Sequence, residues 1–332
     1  MADQQRDVRS TKRPLKVGIV LQHWTSGRGI APSWAEMQER ALHVEAAGFD
    51  SLWLVDHLMF RRRESTMNRQ ADTGQVTTAS AERPEWVGVW ECWTILSALA
   101  AVTSRLELGT LVTCTAYRNP ALLAKIADTV DEISGGRVVL GLGAGDHESE
   151  FATFGYPWDR RVSRFEEALH IVVPLLREGR VDFEGMFYQA RECELRPRGP
   201  RTQGPPILIG ARVGSPRMLR LCATHADQWN GWIAYGRSDP DEVAPMREAV
   251  DNACYEVGRD PSTLGRTLTV GAAMLGRRLG SADALSGSPV EIAEKMRGFA
   301  AEGINHLQIY LHPNTIEGID ALVPALELLD KG

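Results

Sequence analysis

The sequence predicts a (β/α)8 TIM barrel with insertions at the C-terminal face of the strands. The chain has 332 residues, enough for one large α/β barrel or two smaller domains. Short apolar runs alternate eight times with segments of helical character, and such alternation is typical of parallel strands joined by helical crossovers. The alternative fold is a doubly wound open sheet, which usually carries G-x-G-x-x-G after its first strand. Here Gly141, Gly143 and Gly145 follow the fourth strand, with Asp146 where the pattern would continue.

The first half of the chain supplies four of the strands. These are the apolar runs Leu15–Leu21, Ser51–Val55, Leu106–Thr113 and Val138–Leu142. Ser33 with Glu36 three residues later forms a capping box, so the first helix is expected to begin there and to end at Gly48. The next two predicted helices are the Ala- and Leu-rich segment Glu91–Val102 and the segment from Pro120, which suits a first helical turn, to Ile133.

The second half repeats the same alternation. Phe165, Leu169 and Val172 lie on one face of a helix predicted over Arg161–Leu176. The remaining strands are predicted at Ile207–Ile209, Gln228–Asn230, Thr267–Met274 and His306–Tyr310. The remaining helices are predicted from Pro216 to His225, over Asp241–Val257 and Ser288–Glu302, and over Ile316–Leu329.

Three segments fall outside this repeat. Residues 1–14 are polar and charged and are expected to form a flexible tail before a single barrel domain over residues 15–332. Residues 60–88 are too long and too polar for an ordinary connection, so they are expected to form a lid over the site. Residues 181–190 carry two short strand patterns around Glu184-Gly185 and are expected to form a small hairpin.

Composition excludes several classes of protein. The net charge is -6 and no basic run indicates a nucleic-acid partner. No stretch is long and apolar enough for a membrane span, and the N-terminus lacks a signal-peptide pattern. The five cysteines are scattered without C-x-x-C spacing, which argues against a disulfide framework and fits a reducing compartment. The expectation is a cytoplasmic protein.

Candidate chemistry lies where the strands end, because barrel enzymes build their sites from these exits. His57, after the second strand, is expected to donate a proton or a hydrogen bond, or else to be a structural histidine held by Asp56. Asp146, after the fourth strand, is either a general acid with a raised pKa or a loop carboxylate that accepts backbone N–H groups. Glu91 is a third catalytic candidate, with a helix N-terminal charge as its alternative role.

Other exits offer binding groups. Gly214 and Ser215 precede a helix, where backbone N–H groups and the helix dipole favour an anion, although a plain N-cap needs no ligand. Trp24, Trp90, Trp229, Trp232 and His147 are assigned to a substrate pocket, and each of the four tryptophans has an alternative place in the core. No metal site is expected, since His225, His306 and His312 have no ligand spacing and H-E-x-x-H is absent.

At these positions the chain resembles the luciferase-like monooxygenase superfamily. The similar segments are Leu52–His57, Leu108–Thr113 with Tyr117–Pro120, Ser134–Asp146, and Pro206–Gly210 with Ala226-Asp227, and they cover nearly the whole chain in order. That superfamily has a (β/α)8 barrel and uses reduced FMN with oxygen or the deazaflavin coenzyme F420. The pattern is most similar to the F420-dependent branch, which implies hydride transfer between the deazaflavin ring and a small organic substrate.

The resemblance also implies which residues hold the cofactor. It implies a non-proline cis peptide at Leu111–Val112 beneath the ring, a ring contact at Ser149, a phosphate site at Gly214 and Ser215, and Arg212 in place of lysines that bind the coenzyme's tail in some relatives. The full expected set is Asp56, Leu111, Val112, Thr113, Gly143, Ala144, Gly145, Ser149, Gly210, Ala211, Arg212, Gly214 and Ser215.

Two other functions remain open from the sequence. One is an FMNH2- and O2-dependent monooxygenase, which would need a flavin reductase as partner. The other is a non-catalytic flavin-binding barrel, since a fold does not dictate function. In each case the resemblance implies a homodimer formed through barrel helices, with a small molecule rather than nucleic acid or membrane as the ligand.

Overall fold

The computed structural model describes residues 13–26, 29–61, 86–234, 238–279 and 284–331. The strands in this part of the chain are β1 (Lys16–Val20), β2 (Ser51–Leu54), β3 (Met59–Arg61), β4 (Trp86–Gly88), β5 (Glu107–Thr110), β6 (Thr113–Cys114), β7 (Val138–Gly143), β8 (Arg180–Glu184), β9 (Gln189–Glu194), β10 (Ile207–Gly210), β11 (Gln228–Trp232), β12 (Gly265–Ala273) and β13 (His306–His312). The α-helices are α1 (Trp34–Ala46), α2 (Cys92–Val102), α3 (Pro120–Ser134), α4 (Glu148–Phe154), α5 (Arg161–Glu178), α6 (Pro216–His225), α7 (Val243–Glu256), α8 (Pro289–Ala301) and α9 (Ile316–Asp330).

Parallel pairing closes the sheet into the predicted (β/α)8 barrel. The order around the barrel is β1-β2-β5-β7-β10-β11-β12-β13, and β13 pairs with β1 to complete the ring. The third predicted strand is interrupted: β5 ends at Thr110 and β6 begins at Thr113, and both pair with β7. The Leu111–Val112 peptide bond between them is cis, as the resemblance implies.

The predicted helix boundaries hold where local chemistry sets them. Ser33 and Glu36 form the capping box that begins α1. Asn119 accepts hydrogen bonds from two backbone N–H groups at the start of α3, and Pro120 occupies its first position. Helix α7 begins at Val243 rather than Asp241, because a 3-10 turn capped by Asp239 precedes it. Helix α4 was not predicted, since seven residues are too few to show helical periodicity.

The insertions are only partly within the described residues. The predicted hairpin is confirmed as the antiparallel pair β8–β9. Of the predicted lid, the two ends form the antiparallel pair β3–β4, and residues 62–85 lie outside the described part of the chain. Residues 1–12 of the predicted tail also lie outside it. Arg13 belongs to the predicted tail but is buried and donates to both Asp50 and Asp330, and the first barrel strand begins at Lys16.

The strands of the barrel are largely buried on both faces. Leu52 and Leu54 face outward into the layer between barrel and helices, whereas Trp53 faces the barrel interior and is fully buried. A Cβ atom at Gly109 would lie 2.1 Å from the Trp53 ring, so β5 must carry a glycine there. Below Trp53, its indole N–H donates to Ser51 Oγ at 2.7 Å, and Ser51 Oγ lies 2.7 Å from His306 Nε2.

Two further expectations bear on the whole chain. All five cysteines have free thiols, which agrees with their scattered spacing in the sequence. Within the described residues, no helix combines the length and the apolar character that crossing a lipid bilayer demands.

Candidate active site

The carboxyl ends of the strands surround a cavity of about 370 Å³. Its wall consists of Asp56, His57, Leu111, Val112, Cys114, Tyr117, Gly143, Ala144, Gly145, Asp146, Trp158, Arg161, Val162, Gly210, Ala211, Arg212, Ser215, Met218, Asn230 and Trp232. A second cavity, of about 640 Å³, lies at the opposite end of the barrel, where Arg177 pairs with Asp227 and Lys16 pairs with Glu107. Chemistry in barrels occurs at the carboxyl ends, so the first cavity is the candidate active site.

One side of the cavity is an apolar platform around Val112. The break between β5 and β6 brings Leu111 and Val112 into the cavity wall. Neighbouring strands carry glycines where Val112 packs, because a Cβ atom at Gly143 would lie 2.6 Å from Val112 Cγ2 and one at Gly210 would lie 3.5 Å from it. The glycines therefore leave room for Val112 and for a flat group above it.

His57 lies in this wall and is held by a residue that we did not assign from the sequence. Its Nδ1 atom lies 2.9 Å from Glu150 Oε2, and Tyr117 donates to the same oxygen at 2.7 Å. The other oxygen of Glu150 accepts from the backbone N–H groups of Leu58 and Met59. Burial opposes a charge on His57, but the hydrogen bond and the charge of Glu150 outweigh it, and the pKa of His57 is raised.

Asp56 is a structural link as well as part of the wall. Its carboxylate accepts a bidentate pair of hydrogen bonds from Arg118 at 2.7 and 2.9 Å and one from the Cys114 N–H at 3.0 Å. Glu91 lies on the far side of Arg118, caps α2 through the Thr94 N–H and is absent from the cavity wall. In the structure Glu91 thus has the helix-terminal role considered as its alternative and lies outside the cavity wall.

Asp146 lies in the wall with its charge already stabilised. Burial opposes ionisation, yet the hydrogen bond and charge of His147 and the charges of His57 and Arg212 lower the pKa of Asp146 to about 2. Its Oδ1 atom lies 2.7 Å from His147 Nδ1, and its Oδ2 atom lies 4.0 Å from the Arg212 guanidinium. Because these partners favour the carboxylate, Asp146 is not a general acid with a raised pKa.

Several assigned residues lie outside the cavity wall. His147 was assigned to the substrate pocket, but it is 2% exposed and lies behind His57, against Phe60. The Ser149 hydroxyl is buried in the first turn of α4, and Thr113 is buried with its hydroxyl donating to Thr110. Gly214 precedes Ser215 and has open space beside it. Sequence position placed these residues near the site without showing which way they face.

The tryptophans divide between the wall and the core. Trp232 lines the cavity. Trp24 stacks on Tyr310, and Tyr310 in turn packs against Trp232, so Trp24 supports the wall from outside. Trp229 is fully buried and donates to the Ala211 carbonyl, which corrects its assignment to the pocket. Trp90 is half exposed, donates to the Pro32 carbonyl and is not part of the wall.

Arg161 and Arg212 make part of the cavity wall cationic, although Arg212 also lies 4.0 Å from the Asp146 carboxylate. Arg161 packs on the Trp158 ring, with its guanidinium carbon 3.8 Å from the ring centroid, and donates to the Gly145 carbonyl at 3.2 Å. Arg212 and Ser215 line the cavity next to the N-terminus of α6, where the Ser215 side chain makes no capping hydrogen bond. Two guanidinium groups and a helix N-terminus suit an anionic group.

These features match a known family. The sequence model of the luciferase-like monooxygenase family matches residues 15–277. The chain belongs to this family. The resemblance stated from the sequence motifs is therefore confirmed, and so is the barrel fold that it implies.

Relatives within the luciferase-like family have several activities. The chain is 34% identical over 238 residues to a phthiodiolone/phenolphthiodiolone dimycocerosates ketoreductase of Mycobacterium sp. (strain JLS), which covers 69% of this chain and 59% of the relative. It is 35% identical over 183 residues to the pyrimidine monooxygenase RutA of Methylorubrum extorquens, which covers 54% of this chain and 49% of the relative. The matched segment thus spans about half to three fifths of these proteins.

Solved structures show the same fold at low identity. An F420-dependent secondary alcohol dehydrogenase in complex with an F420-acetone adduct has a TM-score of 0.72 at 17% identity and covers 95% of this chain and 99% of its own. The long-chain alkane monooxygenase LadA has a TM-score of 0.72 at 16% identity and covers 95% of this chain and 91% of its own. One barrel therefore serves both reductases and monooxygenases.

The residues of the cavity fit a flavin-type cofactor. The platform of Leu111 and Val112 is flat and apolar, as a ring system needs, and Gly143 keeps it clear of side chains. Arg161 and Arg212 line the same cavity and would hold an anionic tail. The cavity thus offers both an apolar platform and cationic groups.

Most of the residues that sequence reasoning missed share one property. Glu150, Arg161, Val162, Met218 and Asn230 come from helices or a strand interior, where nothing in the local pattern separates a functional side chain from a packing one. Trp158, which also lines the cavity, comes from the loop before α5. The one available signal was a Glu in the first turn of a segment directly after the glycine-rich exit of β7.

Proposed function

We propose that the protein is an F420-dependent oxidoreductase that transfers a hydride between the deazaflavin ring and the carbonyl or alcohol carbon of a small organic substrate. The observation that carries this proposal is the position of His57 in the cavity wall, beside the Leu111–Val112 platform and held by Glu150. A ketone that accepts a hydride at carbon also needs a proton at oxygen, and a positioned imidazolium supplies one.

The names of two similar proteins support this choice of chemistry. One curated relative is a ketoreductase, and one structural neighbour is a secondary alcohol dehydrogenase with an F420-acetone adduct. Both names describe the interconversion of a carbonyl and an alcohol. This reaction needs a hydride donor and a proton donor at the same substrate. The Leu111–Val112 platform would hold the cofactor that supplies the hydride, and His57 would supply the proton.

The roles of the other residues follow from their contacts. F420, when bound, supplies or accepts the hydride. Val112 and Leu111 would support the ring, and Arg161, Arg212 and Ser215 would bind the anionic tail. Asp146 stays ionised and stabilises the protonated form of His57, so we assign the proton transfer to His57 and not to Asp146. The protein thus contributes orientation and electrostatics.

The second candidate function is an FMN-dependent monooxygenase that consumes O2. The 35% identity to RutA favours it, and LadA shows that the same barrel supports it. Such an enzyme would depend on a flavin reductase for its reduced cofactor. Arg161 and Arg212 in the cavity wall would accept the phosphate of FMN as readily as that of F420.

One experiment separates the candidates. Purified protein is titrated with F420 and, separately, with reduced FMN, while cofactor fluorescence and oxygen consumption are followed with a panel of small ketones and secondary alcohols. The proposal predicts tight F420 binding, substrate-dependent conversion of F420 and no oxygen uptake. Binding of reduced FMN alone, with oxygen uptake on adding substrate, would show a monooxygenase. Binding of a cofactor without any turnover would favour the non-catalytic barrel.

The assembly and the partners are further proposals. We propose that the protein acts as a homodimer on a small-molecule substrate, with no nucleic-acid or membrane partner. Light scattering coupled to size-exclusion chromatography tests the dimer, which predicts twice the chain mass of 36.6 kDa.

A further inference from the structure

Three potential metal ligands meet behind the cavity. His57, His147 and Glu150 each offer a ligand atom, and these atoms all lie within 4.8 Å of one another. His147 is 2% exposed and Glu150 is fully buried, while His57 reaches the cavity wall. We call these three residues the His–His–Glu cluster. Local sequence patterns do not indicate this cluster, because His57 and Glu150 are 93 residues apart.

One polar atom of this cluster is buried without a hydrogen-bond partner among the described residues. His147 Nδ1 lies 2.7 Å from Asp146 Oδ1, and an ionised carboxylate only accepts, so the ring proton sits on Nδ1 and Nε2 carries a lone pair. Nε2 is buried and has no hydrogen-bond partner among the described residues. The rings of His57 and Phe60 lie next to it, with centroids 4.6 and 4.8 Å from that of His147. A buried acceptor without a donor is costly, which points to a bound ligand.

The chemistry of the cluster suits a transition metal. Two imidazoles and one carboxylate form the ligand set of many zinc sites with an open fourth position. Asp146 holds His147 in the way that second-shell carboxylates hold metal-binding histidines, because its bond to Nδ1 directs Nε2 inward. Tyr117 and two backbone N–H groups keep the Glu150 carboxylate in place as an anion.

We propose that the His–His–Glu cluster binds a divalent transition-metal ion of the Zn²⁺ or Co²⁺ class, with water as the fourth ligand. The ion takes the place of the hydrogen bond between His57 Nδ1 and Glu150 Oε2, which lie 2.9 Å apart. An occupied site holds His57 as a ligand, so His57 can no longer act as the proton donor of the proposed reaction. The metal is thus an inhibitor of the proposed reaction and not a part of it.

Cobalt is the probe because four-coordinate Co²⁺ has visible absorption bands. Cofactor-free protein is titrated with CoCl2, and the same titration is repeated in a calorimeter. The proposal predicts that one equivalent of Co²⁺ binds and gives the visible band of a four-coordinate site. His147→Ala should abolish the band, and Asp146→Asn should weaken binding by about 10–100-fold, as loss of a second-shell partner does. If His147→Ala does not fold, His147→Gln serves in its place.

The control uses the other close histidine pair. His170 and His225 have ring centroids 5.7 Å apart on α5 and α6, away from the cavity wall. His225→Ala should leave the cobalt band unchanged. Absence of a band in the unmodified protein, a band that survives His147→Ala or His147→Gln, or a band lost in His225→Ala would each overturn the proposal. The readout needs no cofactor and no substrate, so its failure is distinguishable from failure of the proposed oxidoreductase activity.

Discussion

His57 Nδ1 and Glu150 Oε2 lie 2.9 Å apart and join the exit of β2 to helix α4. Because Glu150 also accepts from the Leu58 and Met59 N–H groups, the same carboxylate orders the chain that follows His57. His57 is therefore aimed into the cavity by a residue that does not itself line it. Glu150 is a positioning residue in the proposed reaction.

Glu150→Gln tests this role. The amide keeps the size of the side chain but removes the charge that holds His57, so we expect the turnover number to fall roughly 10–100-fold, within the range that one proton-transfer group contributes. F420 binding should change less than about threefold, since Glu150 does not line the cavity. Steady-state kinetics and fluorescence titration measure the two effects separately.

Glu148→Gln is the matched control, because Glu148 is on the same helix and is exposed. It should change neither quantity by more than about twofold. Equal losses of turnover in both variants, or a loss of F420 binding in Glu150→Gln that matches its loss of turnover, would contradict the positioning role.

The buried pair of Asp56 and Arg118 is expected to be structural. Asp56→Asn should lower the free energy of unfolding by about 3 kcal/mol, because it leaves a largely buried guanidinium without its main partner. Urea denaturation followed by circular dichroism measures the change. Glu194→Gln removes one partner of the exposed pair with Arg196 and should change it by less than about 0.5 kcal/mol. Similar small effects in both variants would show that the buried pair adds little.

Gly143→Ala tests the ring platform. The added methyl group would lie 2.6 Å from Val112 Cγ2, so Val112 must move into the space proposed for the ring. We expect at least a roughly tenfold loss of cofactor affinity, about 1.4 kcal/mol, in a protein that still folds. Gly88→Ala, where the nearest atom is Thr25 Cγ2 at 3.6 Å, should bind the cofactor as the unmodified protein does. Unchanged affinity in Gly143→Ala would place the ring elsewhere.

His306 makes the stability depend on pH. Burial lowers the pKa of His306 from its ordinary value of 6.5 to about 3, and its Nε2 atom lies 2.7 Å from Ser51 Oγ. As the pH falls from 6.5 towards 3, the unfolded chain binds a proton at His306 that the folded protein does not. The contribution of His306 is therefore complete above pH 6.5 and is lost at about 1.4 kcal/mol per pH unit below it.

His306→Gln isolates this term, because an amide retains a hydrogen-bonding partner for Ser51 but does not titrate. Urea denaturation at several pH values between 4.5 and 6.5 should show a pH slope that is smaller by one proton. A slope unchanged by His306→Gln would mean that His306 takes up a proton equally in the folded and the unfolded protein.

The barrel could be predicted because its signals are local. The capping box at Ser33 and the proline that begins α3 act over a single turn, and the apolar runs identify the strands one by one. The end of a strand was harder to place: β11 continues through Trp232, two residues beyond its prediction, because Thr269 on the next strand still pairs there. Partners on a neighbouring strand leave no mark in the local pattern.

The sequence by itself determined the fold class, the set of strand exits and the family, since each depends on residue types at short spacing. Only the tertiary structure decided which exit residues face the cavity. In the tertiary structure Glu91 forms an ion pair with Arg118, and His147 lies behind His57. The same structure buries Trp229 and joins Glu150 to His57 across 93 residues. The physical reason is that hydrogen bonding and burial at a strand exit depend on side chains from distant elements, and chain order alone does not set their directions.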